Sequence, residues 1–155
     1  MNLIKSISQC NINCVYFCEP IKNNVMVNGS FTRILYSSHI FTMNGIYLMV
    51  PLTEVTFEKY YQKYKCAFNS YNNVKTIEKL CDIESKLLQK VGAIIKNKIP
   101  QYKIQEQLKS SHIKIISENT LASITNASLF LLKISGIWET ETHYGVTYKF
   151  SILEE

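Results

Sequence analysis

Leu129-Phe-Leu-Leu-Lys-Ile-Ser-Gly-Ile-Trp138, a polar break over 139–143, and then Gly145-Val-Thr-Tyr-Lys-Phe-Ser-Ile152 decide how this chain is read. Both arms are rich in branched and aromatic residues, so the stretch reads as two antiparallel strands around a turn. Side chains alternate sides along a strand. In the first arm Phe130, Leu132, Ile134 and Trp138 share one face, and Leu131, Lys133, Ser135 and Ile137 the other. In the second arm Val146, Tyr148, Phe150 and Ile152 oppose Gly145, Thr147, Lys149 and Ser151. Each arm therefore has an apolar side for a core and a lysine-and-hydroxyl side that can meet a polyanion.

Working outward, a chain of 155 residues with 46% hydrophobic and 19% charged residues reads as one globular domain over 1–155. No apolar run approaches the roughly 20 residues a membrane-spanning helix needs, and the N-terminal residues lack a signal peptide's apolar region. The expected location is therefore the cytoplasm or nucleus of whatever cell makes it. The net charge is +5, and Arg33 is the only cation among the seventeen that is not a lysine. Lysine attracts phosphate as a point charge, whereas bidentate reading of bases is arginine work. The same lysine richness is also what an AT-rich genome produces.

The five cysteines, Cys10, Cys14, Cys18, Cys66 and Cys81, are odd in number and lack the close-pair spacing of zinc sites. No disulfide framework, metal or cofactor is expected from them.

From the N-terminus, 14–18 reads as a strand ended by Pro20, and 25–27 leads to the turn dipeptide Asn28-Gly29. Strand character returns at 31–36, and Asn44-Gly45 between apolar runs predicts a hairpin closed by Pro51. Residues 57–68 fit an amphipathic helix, but aromatic enrichment and the polar break at 69–73 favour a strand. At strand spacing Lys59, Tyr61, Lys63 and Lys65 line one face. Residues 76–96 carry an apolar stripe at helical spacing that only Glu84 breaks, with Asn73 or Thr76 to cap its start. A weaker helix or a loop occupies 101–111, a short strand 113–116, and a hydroxyl-rich loop 117–128.

Strands, one strong helix and a closing pair of strands describe a mainly β domain with one or two helices. The expected architecture is an OB-like antiparallel barrel plugged by a helix, with an α+β sandwich as the alternative. Pro20-Ile-Lys-Asn23, Phe31-Thr-Arg-Ile-Leu-Tyr-Ser37, Asn44-Gly-Ile-Tyr47, Leu132 to Glu139 and Tyr144-Gly-Val-Thr-Tyr-Lys-Phe150 resemble OB-fold single-stranded DNA-binding proteins of large eukaryotic DNA viruses. The resemblance implies a replication or recombination accessory that coats exposed strands without sequence preference.

Strand faces supply the candidate contacts. Lys59, Lys63, Lys65, Lys133 and Lys149 would neutralise phosphates. Tyr61, Tyr144 and Trp138 would stack on bases, Trp138 being read otherwise as core. Arg33 would either grip a base and phosphate or pair with a carboxylate. The expected partner is single-stranded DNA, or RNA. The alternative is a viral structural or protein-interaction domain without nucleic-acid binding. No Gly-rich phosphate cradle, Gly-x-Ser-x-Gly elbow or His-Glu-x-x-His helix is present, so no enzyme is expected. A Cys/His nucleophile dyad could still assemble in three dimensions, for example Cys66 with His112.

Overall fold

A computed structural model describes residues 3–23, 28–116 and 129–153. The expectations for 25–27 and for the loop at 117–128 lie outside the described residues. In chain order the strands and helices are β1 (Lys5–Ser6), β2 (Val15–Phe17), β3 (Ile21–Asn23), β4 (Gly29–Ser37), β5 (Thr42–Asn44), β6 (Ile46–Pro51), β7 (Thr56–Tyr60), β8 (Lys63–Ala67), α1 (Val74–Gly92), β9 (Ile99–Gln101), α2 (Lys103–Lys109), β10 (His112–Ile116), β11 (Leu129–Glu139) and β12 (His143–Ile152). The fold is mainly β with two helices. No helix among the described residues is long and apolar enough to cross a membrane.

The long hairpin β11–β12 is the hub. β11 pairs along its first half with β6 and along its second half with β4, while β12 lies on its other side. The sheet runs β1-β6-β11-β12-β10-β8-β7, and β4 brings in β2, β3 and β5. The expectation of an all-antiparallel sheet is corrected. β1 lies parallel to β6, and both β9 and β10 lie parallel to β12. The antiparallel neighbours β8 and β10 are joined by a long connection that runs through α1, β9 and α2. The outermost strands of the path, β1 and β7, do not pair with each other, so the described sheet is open.

Gly45 lets one stretch of chain serve two partners. β5 pairs with β4 and β6 pairs with β11, so the chain turns between them at Gly45, where φ is +103°. A Cβ there would sit 2.9 Å from the Ile134 carbonyl oxygen. Strain and overlap act together at this position. Gly45→Ala is expected to destabilise the protein by about 2 kcal/mol, read from the midpoint of urea unfolding.

One face of the sheet is the core. Ile34, Leu48, Leu132, Phe130, Phe150, Ile115, Tyr64 and Cys66 are buried there with Ile104 and Leu108 of α2. From α1 the stripe Leu80, Ile83, Leu87, Leu88 and Val91 is buried with them, as its spacing predicts. The helix begins two residues earlier than expected and ends at Gly92, where the Val91 carbonyl accepts from the N–H groups of Ile94 and Ile95. Asn73 stands at the N-cap position, but its amide bonds away from the helix. Its Oδ1 accepts from the Thr53 N–H at 2.9 Å and its Nδ2 donates to the Thr53 carbonyl at 3.0 Å.

Glu84, the break in the stripe, is fully buried and accepts the N–H groups of Ile104 and Gln105, each at 2.9 Å. These lie in the first turn of α2, so an apparent flaw in α1 is the bond that seats α2 against it.

Candidate nucleic-acid interface

The face opposite the core is set by register. Glu58 on β7 stands opposite Lys65 on β8, and Lys65 opposite Lys114 on β10. β10 and β12 are parallel with Ile115 beside Phe150, which puts Lys114 beside Lys149. Lys149 stands opposite Lys133 on β11, and Lys133 opposite Tyr47 on β6. Residues paired across strands share a face, so Lys65, Lys114, Lys149 and Lys133 form one row across four adjacent strands. At the usual strand spacing the row spans about 14 Å. All four are exposed. Among the described residues none of them has a carboxylate within ion-pair distance; the ion pairs found are Lys86–Asp82 and Lys98–Glu139. The Lys133 Nζ lies 5.6 Å from the Tyr47 ring centroid, a cation–π contact at the end of the row.

A bulge brings aromatic rings to the same face. The pairing of β11 with β12 shifts between Ile134 and Gly136, so Ser135 is an extra residue and the alternation reverses beyond it. Ile137 therefore turns into the core, and Trp138 turns to the lysine side. That corrects the expectation that Trp138 continues the core face. Opposite Trp138 stand Gly145 on β12 and Phe31 on β4. A Cβ at Gly145 would lie 2.6 Å from the indole, so the missing side chain is what lets the ring sit over that strand. Arg33 stands opposite Gly136 on this face, exposed and with no ion pair among the described residues.

Beside the row, β12 is left uncovered. β9 pairs with it only at 143–145 and β10 reaches it only at its far end, around Phe150, so 146–148 has no strand on that side among the described residues. α2 passes there, held by the Tyr148 hydroxyl, which donates to Gln107 Oε1 at 2.7 Å. Burial pushes the Tyr148 phenol up to about 12, with Glu84 and Glu106 adding to the rise. It therefore remains a donor at neutral pH. The resulting cleft of about 400 Å³ is lined by Lys63, Lys103, Lys114, Lys149, Gln107 and Trp138, among others, and by no carboxylate. The Lys103 Nζ lies 4.7 Å from the Trp138 ring centroid.

Other expected contacts are placed differently. Residues 57–68 are extended, as favoured, but form two strands with Tyr61 and Gln62 as the turn. The turn reverses the alternation. Lys59 therefore shares the face of Tyr64, away from Lys63 and Lys65. Tyr61 is a turn residue at φ +57°, 83% exposed, with its ring edge-on to Tyr60 at 4.9 Å. Tyr144 is only 6% exposed and packs beside Gly92, so it offers no ring face to a base. Cys66 and His112 do not form a dyad. Cys66 is buried opposite Ile113, while the next residue back, His112, faces the other way and has its Nδ1 3.1 Å from the Ser110 carbonyl. Burial pushes the Cys66 thiol up to about 12 and the Cys10 thiol to about 11. Both stay protonated and poorly nucleophilic.

Lys103, Lys114 and Phe31 are the residues of this candidate interface that strand-face reading did not single out. The alternation of Ile113-Lys-Ile-Ile already marks Lys114 as outward-facing. Nothing local marks Lys103. Compared with known proteins, the chain matches no family model, no curated protein and no solved structure.

Proposed function

We propose that this protein binds single-stranded nucleic acid, DNA in the first instance, along the outer face of the β8-β10-β12-β11 sheet, without sequence preference. The observation that carries the reading is the row Lys65, Lys114, Lys149 and Lys133. Like charges directly opposite one another on neighbouring strands cost roughly 0.2–1 kcal/mol per pair. Three such pairs in sequence, with no acid between them, are a standing cost to the fold. A polyanion laid across them turns that cost into affinity. Lysines that follow phosphates, with Trp138 and Phe31 offered to unpaired bases, suit a single strand better than a duplex. Arg33 stands between the two groups and suits either a base or a phosphate.

An OB-like architecture belongs to the same proposal. The turn at Gly45 and the meeting of β4, β6 and β11 resemble the corners that curl a sheet toward a barrel, although the described path stays open. A role as a replication or recombination accessory of a DNA virus, coating exposed strands, is the biological setting this reading implies.

The test is a titration with oligo-dT, followed by the fluorescence of Trp138, the only tryptophan in the chain. Four phosphate contacts on a single strand predict an affinity that falls about fiftyfold between 50 and 200 mM salt. Quenching of the indole is expected alongside. No binding at low salt, or binding indifferent to salt, would remove the proposal.

A further inference from the structure

We infer that the cleft beside the uncovered part of β12 is a subsite for a terminal phosphate, a phosphomonoester rather than an internal phosphodiester. The inference rests on the nucleic-acid reading for its setting, but its geometry is separate. Lys63, Lys103, Lys114 and Lys149 line the cleft from β8, α2, β10 and β12, so four lysine side chains border one space from four elements. Among the described residues none of the four has a carboxylate partner.

An internal phosphodiester brings one negative charge into this space. A phosphomonoester brings about 1.5 to 2 charges at pH 7 and three strong acceptor oxygens. The more highly charged group fits a cleft bordered by four lysines better. Gln107 offers a neutral amide to the same space, and the Trp138 ring closes one side. A second depression of about 270 Å³ shares Lys103 and Trp138 and continues toward Gln101 and His143. A nucleotide can therefore put its phosphate among the lysines and its base toward the indole, with the Lys103 ammonium passing from ring to phosphate.

The same chemistry comes from two sources, a strand end or a free nucleotide, and the arms of one experiment separate them. Oligo-dT carrying a 5′-phosphate, a 3′-phosphate or hydroxyls at both ends is titrated in parallel with free dTMP. The expected result is about tenfold tighter binding of one phosphorylated end than of the hydroxyl oligonucleotide. That advantage should shrink at about pH 5, where the second phosphate proton returns. It should also disappear in Lys103→Gln and Lys114→Gln, judged by the ratio of the two affinities in each variant, with circular dichroism to show that the variants are folded. Should dTMP bind as tightly as the phosphorylated strand, the phosphomonoester assignment stands and its source is the free nucleotide. Binding of phosphorylated ligands without any binding of the hydroxyl oligonucleotide keeps the subsite and ends the strand-coating reading. Equal affinity for phosphorylated and hydroxyl ends overturns the inference, as does an advantage that survives both substitutions.

Discussion

Glu84→Ala is expected to destabilise the protein by about 3 kcal/mol or more. The carboxylate is fully buried and is the acceptor for two N–H groups in the first turn of α2. Alanine leaves both donors without a partner inside the protein and opens a void between the helices. Loss on that scale is readable as a shift in the urea midpoint. Because α2 carries Lys103 against Trp138, the native indole emission should change as well. Glu84→Gln keeps the shape and separates charge from packing. Burial is the larger influence on this carboxyl and raises its pKa above 4.5, while the N–H groups of Gln105 and Ile104 draw it back by less. An acid with a raised folded-state pKa favours folding most when both states are protonated. Its contribution then erodes as pH rises from about 4.5 through the raised value. The stability of the native sequence relative to Glu84→Gln should therefore decline with pH across that window and level off above it. A difference that rises with pH there would show that hydrogen bonding, not burial, governs the group.

Glu84 also marks the boundary of what the sequence discloses. Its place in an apolar stripe is visible from periodicity alone, and so is α1 itself. Its partner is not, because α2 lies about twenty residues away and is joined through β9. The same divide runs through the interface. Lys133 and Lys149 are legible because alternation within β11 and β12 puts them opposite the apolar residues, and their pairing follows from one short turn. Trp138 is misassigned because the bulge at Ser135 carries no local mark: serine between isoleucine and glycine fits an unbroken strand equally well. Lys59 is misassigned for a related reason. Tyr61-Gln62 lacks the glycine or asparagine that announces a tight turn, so two strands read as one and the alternation is carried past the reversal. Tyr144 follows the alternation of Val146, Tyr148 and Phe150 into the core. Its place beside a turn is a poorer guide than its parity. The juxtaposition of Lys114 with Lys149 is a parallel contact between distant segments, which no local pattern specifies.

Lys114→Glu combined with Lys133→Glu is expected to weaken single-strand binding by several hundredfold while making the protein more stable. The register then alternates in sign from Glu58 through Lys65, the first substituted position, Lys149 and the second. Three repulsive cross-strand neighbours become three attractive ones, a gain of about 1–2 kcal/mol if each pair contributes in the usual range. The lost contact of Lys133 with the Tyr47 ring subtracts a part of that. Binding moves the other way, because each reversal removes one phosphate contact and adds one repulsion. At about 0.1 M salt one contact on a single strand is worth roughly fivefold, so four charge units amount to about six hundredfold. Lys75→Glu, on the exposed side of α1 across the sheet, changes net charge in the same sense without touching the row and should alter affinity far less. Stability from urea unfolding and affinity from oligo-dT titration are measured on the same preparations. A row kept for solubility alone predicts the same loss of affinity per unit of charge in the Lys75 variant and in the doubly substituted row variant. A row whose cost is offset by an anionic partner predicts opposite movements of stability and binding, confined to this face.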